Sequence, residues 1–457
     1  MDGFELDVLK RLPLGEAVLT ILQFIWDEDE LRDLFDEHRG TGSEIKVSFP
    51  LLVNLVLDAI VEHRGSGRES FHQARVDGRL DASDGALYGK LRRTPVRLSE
   101  AFLRETTRRV QQLLPDRSDD VVIPSALRDY RVLIVDGKKL KKLPKRLKPL
   151  REVSGKVLGG KVVVGMLLND GLVVAMHASP DGEANDAPLT PGLMEQAETA
   201  SDQRTLVVAD RQFCDLKIPH RIINGQNDFV IRYSKKMRFY VEKERELKDH
   251  QGRIIREAWG MLGRQQDARR MYLRQITLHR PGEEDVILVT NLLDAETVPA
   301  QQLLDVYLQR WSIERVFQQV TEVFHLQELI GTSPRGAIFQ FSLCTCLYNV
   351  IQVVRQHLAH VHHRPPESLS SEMIFRDVSK QLTAATQFIA RPELMQCIPQ
   401  QSTARQVCRR LTHLLADQWS DLWNKCPPKK RQPKRQETRV PGGHSSAFKL
   451  IQNPKPP

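Results

Sequence analysis

Apolar residues along the first 120 positions recur at helical spacing. SFPLLVNLVLDAIVEHR (48–64) and VRLSEAFLRETTRRVQQLL (96–114) each predict a helix, and Pro115 stops the second. Between them, in LDASDGALYGKLRRTP (80–95), Asp81 or Ser83 is placed to cap a short helix that carries Lys90, Arg92 and Arg93. A basic helix between two others fits a helix-turn-helix-like DNA reader, and it fits a solvated surface helix equally well. From residue 130 the period becomes that of strands. YRVLIVDG (130–137), KVVVGMLLND (161–170) and LVVAMHAS (172–179) are short β-branched runs, the last two joined by the hairpin-type turn Asp170-Gly171. LTPGLMEQAETA (189–200) predicts a helix and TLVVAD (205–210) a buried strand. Three strands, a helix and a strand make an α/β layer arrangement that begins with an antiparallel unit. DFVIRYS, KMRFYVE, RRMYLRQITLH and DVILVTNLL then predict a β-rich insertion at about 220–298, after which helical periodicity runs to about residue 420.

Composition narrows the class. A chain of 457 residues with 40% hydrophobic positions can fill a core. The net charge of +9 is modest, but it is concentrated. GKKLKKLPKRLKPLREVSGK (137–156) carries nine Lys or Arg residues, and NKCPPKKRQPKRQETR (424–439) is a second basic block. The tail from residue 425 reads as disordered, either a nonspecific DNA arm or a solubilising segment. Six cysteines without a CxxC pair or zinc spacing predict reduced thiols in a cytosolic-type compartment, with Cys344 and Cys346 in the core. The amino terminus mixes acids into its apolar stretch, unlike a secretory signal, and no membrane partner is expected.

Asp136 ends the strand RVLIV and Asp210 ends TLVVA, so both carboxylates are expected at the edge of a rigid sheet. In QQLLDVYLQRWSIERVFQQVTEVFHL, a helix advancing about 100° per residue would align Tyr307, Arg310, Glu314, Gln318, Thr321 and His325 in one polar stripe. Ile313, Val316, Val320 and Val323 would lie opposite. Such a stripe suits the wall of an active site, and a solvated face with an Arg310–Glu314 surface pair is the alternative. Glu183 and Asp186, in DGEANDAP (181–188), are further carboxylates on a loop, and Glu322 and Glu328 lie off the stripe.

Together these residues resemble IS4-type DDE transposases of prokaryotic insertion sequences. Tyr307, Arg310 and Glu314 match the first three positions of that family's YREK signature, Asp136-Gly137 matches its first motif, and Asp210-Arg211-Gln212-Phe213 its second. The resemblance covers about residues 130–350. One position departs: the signature Lys would fall at Thr321. The resemblance implies an RNase H-like catalytic core over 121–350, preceded by a helical DNA-end-binding domain (1–120). A helical C-terminal region (351–424) and a basic tail (425–457) would follow.

The resemblance also implies two Mg²⁺ ions, with Mn²⁺ able to substitute, held by Asp136, Asp210 and Glu314. Such ions lie about 3.5–4 Å apart and serve in-line attack on phosphorus. Tyr307, Arg310, Lys138, Lys139, Arg211, Lys90, Arg92 and Arg93 are the expected DNA contacts, Arg310 through the fork geometry that suits phosphate oxygens. The expected activity is cut-and-paste transposition on double-stranded DNA by a homodimer in the prokaryotic cytoplasm, associated with the nucleoid. A noncatalytic DNA-binding derivative and a nuclease without strand transfer are the alternatives.

Overall fold

In the computed structural model, which describes residues 3–40, 46–115, 123–198, 203–249, 251–389, 391–426 and 443–452, a nine-stranded sheet organises the chain. Its strands are β1 (Arg131–Lys139), β3 (Lys161–Leu167), β4 (Leu172–Ser179), β5 (Thr205–Ala209), β6 (Asp228–Arg232), β7 (Phe239–Lys248), β8 (Ile254–Leu262), β9 (Met271–Leu278) and β10 (Val286–Thr290). A short β2 (Lys156–Leu158) lies outside it. The order is β4-β3-β1-β5-β6-β10-β9-β8-β7. β3 runs antiparallel to β1 and to β4, whereas β1, β5 and β6 are parallel neighbours. An antiparallel meander whose first strand continues into parallel strands is the RNase H-like arrangement. The β-rich insertion is no separate body: β7, β8 and β9 continue the same sheet through β10.

Residues alternate across this sheet as the strand period requires. Val132 and Ile134 of β1 and Leu206 and Val208 of β5 enter the larger core. Leu133 and Val135, with Val207 and Ala209, enter a second core beneath the helices Asp186–Glu198 and Lys217–Asn224. Both faces are therefore covered, which explains why these strands read as continuous apolar runs rather than as alternating ones.

On the first face lies the helix Pro334–Val361. One 18-residue window has the mean hydropathy of a membrane span, 1.6, yet that window is wholly buried. Helices Pro13–Ile25, Val96–Gln111, Ser371–Thr386 and Ala404–Leu415 surround it. Cys344 and Cys346 lie within it, and burial pushes both thiols up. The amino-terminal helices share this core rather than standing apart. The amide of Asn349 shows how: it donates to Thr107 Oγ1 (2.9 Å) and to the Val173 carbonyl (2.9 Å), and accepts from the Val173 amide (3.0 Å).

The expected disordered tail needs correction. Residues 443–452 return to the core, where β11 (His444–Ser446) pairs in parallel with β2 and the helix Ala447–Gln452 follows. Lys449 reaches Glu183 (2.7 Å) and Asp181 (3.3 Å), a tie that local sequence pattern does not reveal. Most of the basic block 424–439 lies outside the described residues.

Candidate active site

Strand register places the first two carboxylates. Val135 and Ala209 are the last pair of the parallel β1–β5 ladder, so Asp136 and Asp210 lie side by side one residue further on. Asp210 ends β5, but Asp136 does not end β1, which stays paired with β3 as far as Lys139. Neighbouring strands lie about 4.8 Å apart. By alternation both continue the series that faces the larger core, where the helix Trp311–Gln318 packs on β1 and the helix Ala300–Leu308 on β5. Each aspartate accepts the next residue's amide: Gly137 N–H donates to Asp136 Oδ1 (2.8 Å) and Arg211 N–H to Asp210 Oδ1 (2.7 Å). Asp210 thereby caps the turn Arg211–Phe213, and Phe213 seals the turn into the second core. This is the local reason for an Asp-Arg-x-Phe sequence.

The third carboxylate arrives on a helix that is not the regular one expected. Tyr307 to Ile313 tighten into i→i+3 bonds, Arg310 to Tyr307 (3.0 Å), Ser312 to Gln309 (2.9 Å) and Ile313 to Arg310 (3.2 Å). This divides Ala300–Leu308 from Trp311–Gln318. Gln319–Val323 then widens into a π turn. Because the angular advance changes on both sides of Glu314, the predicted stripe breaks up. Tyr307 and Arg310 are buried, Glu314 is half-buried and Gln318 is exposed, while His325 lies beyond the helix at φ 56°.

The entry to these helices is clamped by the insertion. Arg274 and Glu257, both fully buried, form an ion pair in which Arg274 also donates to the carbonyls of Val298 (2.7 Å) and Leu292 (3.3 Å). Trp259 Nε1 donates to the Leu293 carbonyl (2.9 Å). Pro299 follows and opens the helix Ala300–Leu308.

Arg310 stands among the three carboxylates. Its guanidinium lies 3.4 Å from Asp136 Oδ2 and 3.2 Å from Glu314 Oε1, with only 5% of the side chain exposed. It also faces the rings of Tyr307 and Trp311. Burial opposes its charge, but Tyr307, Asp136, Asp210 and Glu314 outweigh that and raise its pKa. Asp136 is pushed up to about 6, first by burial and further by Glu314 and Asp210, against the lowering pull of the Gly137 amide and Arg310. All three carboxylates thus share one field. Among the described residues, no group of three or more His, Cys, Asp or Glu side chains is drawn close enough to hold a metal ion. In this conformation the arginine, not carboxylate–carboxylate contact, joins Asp136 to Glu314.

The expected DNA contacts divide. Lys138 and Lys139 lie on the end of β1, Lys138 with its ammonium 5.4 Å from the Phe317 ring centroid. Arg211, Arg92 and Arg93 are exposed. Lys90 is a correction: it is buried, donating to the Val47 carbonyl (2.7 Å) with the Phe35 ring 4.2 Å away, so its ammonium serves the helical core instead of a DNA surface. Thr321 turns its hydroxyl back to the Phe317 carbonyl (2.6 Å).

Residues 127–350 match the family model described as transposase DDE domain. This segment belongs to that family. The matched segment holds Asp136, Asp210 and Glu314. A cryo-EM structure of a piggyBac transposase synaptic complex with hairpin DNA is similar at 11% identity and a TM-score of 0.44, over 90% of this chain and 88% of that one. No curated protein matches the chain.

Proposed function

We propose that this protein is a transposase that cuts the ends of an insertion sequence and joins them to target DNA, using Mg²⁺ held by Asp136, Asp210 and Glu314. The observation that carries the reading is one buried guanidinium in contact with Asp136 and the helix-borne Glu314, with Asp210 beside Asp136 at the end of the β1–β5 ladder and acting on the same charge. Carboxylate oxygens are the donors Mg²⁺ prefers. An Asp136 held near 6 by burial and by two like charges would be relieved by a divalent cation. Bound Mg²⁺ supplies Lewis-acid activation of the attacking oxygen and stabilisation of the leaving one. Holding such a cation requires Arg310 to leave Asp136 and Glu314, which frees its fork for a DNA phosphate. Tyr307 backs that guanidinium, while Lys138 and Lys139 hold backbone phosphates beside the cut and Arg211 reaches them from the second motif. The substrate is double-stranded DNA, and the working form is a homodimer that pairs two ends.

Thr321, closed on its own helix where the resembling family has Lys, favours a second reading: a DNA-binding derivative without catalysis. One assay separates these readings. A plasmid carrying the element's ends is incubated with Mg²⁺ and the wild-type or Asp136→Asn protein, followed by precut ends with a target plasmid. Wild-type cleavage and joining, both lost in Asp136→Asn while DNA binding persists, is the expected result. Binding without cleavage by the wild type selects the second reading, and cleavage without joined products selects a nuclease. Cleavage by Asp136→Asn overturns the carboxylate assignment.

A further inference from the structure

Behind Asp136 lies a buried ion pair that no step above uses. Lys161 Nζ of β3 is 2.5 Å from Asp186 Oδ1, and the two residues are 5% exposed each. Asp186 begins the helix Asp186–Glu198, which packs on the second face of the sheet. Gly137 follows the alternation of Leu133 and Val135 toward that same face, opposite to the Asp136 side chain. There the Asp186 carboxylate occupies the space that any Cβ at position 137 would need. The glycine after the aspartate therefore answers a close approach by a carboxylate, not a turn. Its amide is also the group that donates to Asp136 Oδ1 at 2.8 Å. The contacts thus run from the Lys161–Asp186 pair through the Gly137 peptide to the carboxylate of Asp136.

The loop ahead of Asp186 is itself fixed. Gly182 N–H donates to Ser446 Oγ (3.2 Å), and Glu183 accepts from the Ser446 amide (3.2 Å) and from Lys449 (2.7 Å). Burying two charges costs several kcal/mol per ion before their attraction is counted, so such a pair is poor evidence for stability and better evidence for fixed geometry.

We propose that Asp186 and Lys161 are positioning residues for Asp136: the pair presses on the back of β1 and sets the Gly137 peptide that orients the Asp136 carboxylate. Asp186 is then no metal ligand. The inference rests on Asp136 holding the metal only for one of its two readouts.

The full-length protein is tested as Asp186→Asn, as the apolar double substitution Lys161→Met/Asp186→Leu, and as Gly137→Ala with and without Asp186→Ala. Mn²⁺ affinity is read by electron paramagnetic resonance, protection of the Gly137 amide by hydrogen exchange, and folding by thermal melting. Asp186→Asn and the double substitution are expected to weaken Mn²⁺ binding about 10-fold or more, as loss of an outer-sphere partner does, and to lose Gly137 protection. Gly137→Ala should show the same losses together with a lower melting temperature, and adding Asp186→Ala should recover the melting temperature by opening space but not the Mn²⁺ affinity or the Gly137 protection. The apolar double substitution retains the fold even if Asp186→Asn does not. Folded variants with wild-type Mn²⁺ affinity and Gly137 protection overturn the proposal. If the wild type itself shows no Mn²⁺ site that Asp136→Asn removes, the metal reading fails, and hydrogen exchange still decides the positioning role.

Discussion

Two kinds of order meet at the candidate site, and they differ in what maintains them. The Asp136–Asp210 edge is set by main-chain register: Val135 opposite Ala209 leaves the two aspartates no other place. Glu314 is set by side chains, through the Arg274–Glu257 clamp at the entry to its helices and the Arg310 contact at their break. Main-chain ladders survive most substitutions of the residues they carry. A geometry held by two arginines is vulnerable at each of them, and it can also move. Under the function proposed above, a rigid carboxylate pair would await a third that arrives when Arg310 is drawn to phosphate.

Arg274→Met should separate the two kinds of order most sharply. Removing Arg274 leaves the buried Glu257 with only Arg245, 2.5 Å away and half exposed, as its ionic partner. The cost should therefore approach that of a broken buried pair, about 3–5 kcal/mol, to be read as a drop in denaturation midpoint. Replacing both residues, Arg274→Met with Glu257→Leu, should recover much of that stability but not cleavage, since the carbonyls of Leu292 and Val298 lose their donor. Full activity in the double variant would show that the clamp does not place Glu314.

Arg310→Lys comes next. It keeps the charge and loses the fork whose two separate nitrogens span Asp136 and Glu314. A charge-assisted hydrogen bond contributes about 1.5–3 kcal/mol, and that loss should appear in DNA-end affinity and cleavage rate together. Unchanged affinity with lowered cleavage would leave Arg310 with the carboxylates only.

The pH dependence tests the rigid pair. A carboxyl raised from its ordinary 3.8 to about 6 binds its proton more tightly in the folded chain than in the unfolded one. Its contribution to stability is therefore fully present below about 3.8 and lost as pH rises through 6. Metal binding needs the ionised form, so Mn²⁺ affinity should rise across the same window in which stability falls. Asp136→Asn should abolish both slopes. A carboxyl signal for Asp136 that titrates near 4 by NMR would remove the premise.

These contrasts match what the amino-acid pattern discloses. β1, β3, β4 and β5 are legible because a strand buried on both faces must be a short apolar run. Asp210 is legible as the residue that ends β5, and Asp136 as the acid that ends the apolar run of β1, although the strand itself continues to Lys139. Glu314 emerges only through its spacing from Tyr307 and Arg310, because helical periodicity predicts a regular turn where the chain tightens at Arg310 and widens at Gln319. Tertiary contacts made those departures, and local pattern does not encode them. The same holds for Arg274, a charged residue in a strand that packing made the largest fully buried side chain, and for the return of His444–Ser446 to β2. Asp186 was visible as an acid on a loop, but only its closeness to Gly137 gives it a role.

The smallest effect tests the helix Asp84–Arg93, in which Ser83 caps the start and three basic residues fill the last turn. Periodicity assigns Lys90, Arg92 and Arg93 one role, whereas the structure gives them two. Arg92 and Arg93 project to solvent, and Lys90 is enclosed by Val47 and Phe35. If the exposed pair meets DNA phosphates, each Arg→Ala change should lower the slope of log affinity against log salt by about 0.9, with no change in melting temperature. Lys90→Met should do the reverse, lowering the melting temperature by leaving the Val47 carbonyl without its donor and keeping the wild-type slope. A salt slope that falls for Lys90→Met but not for the arginines would mean that this face opens to DNA and that the enclosed lysine is its contact.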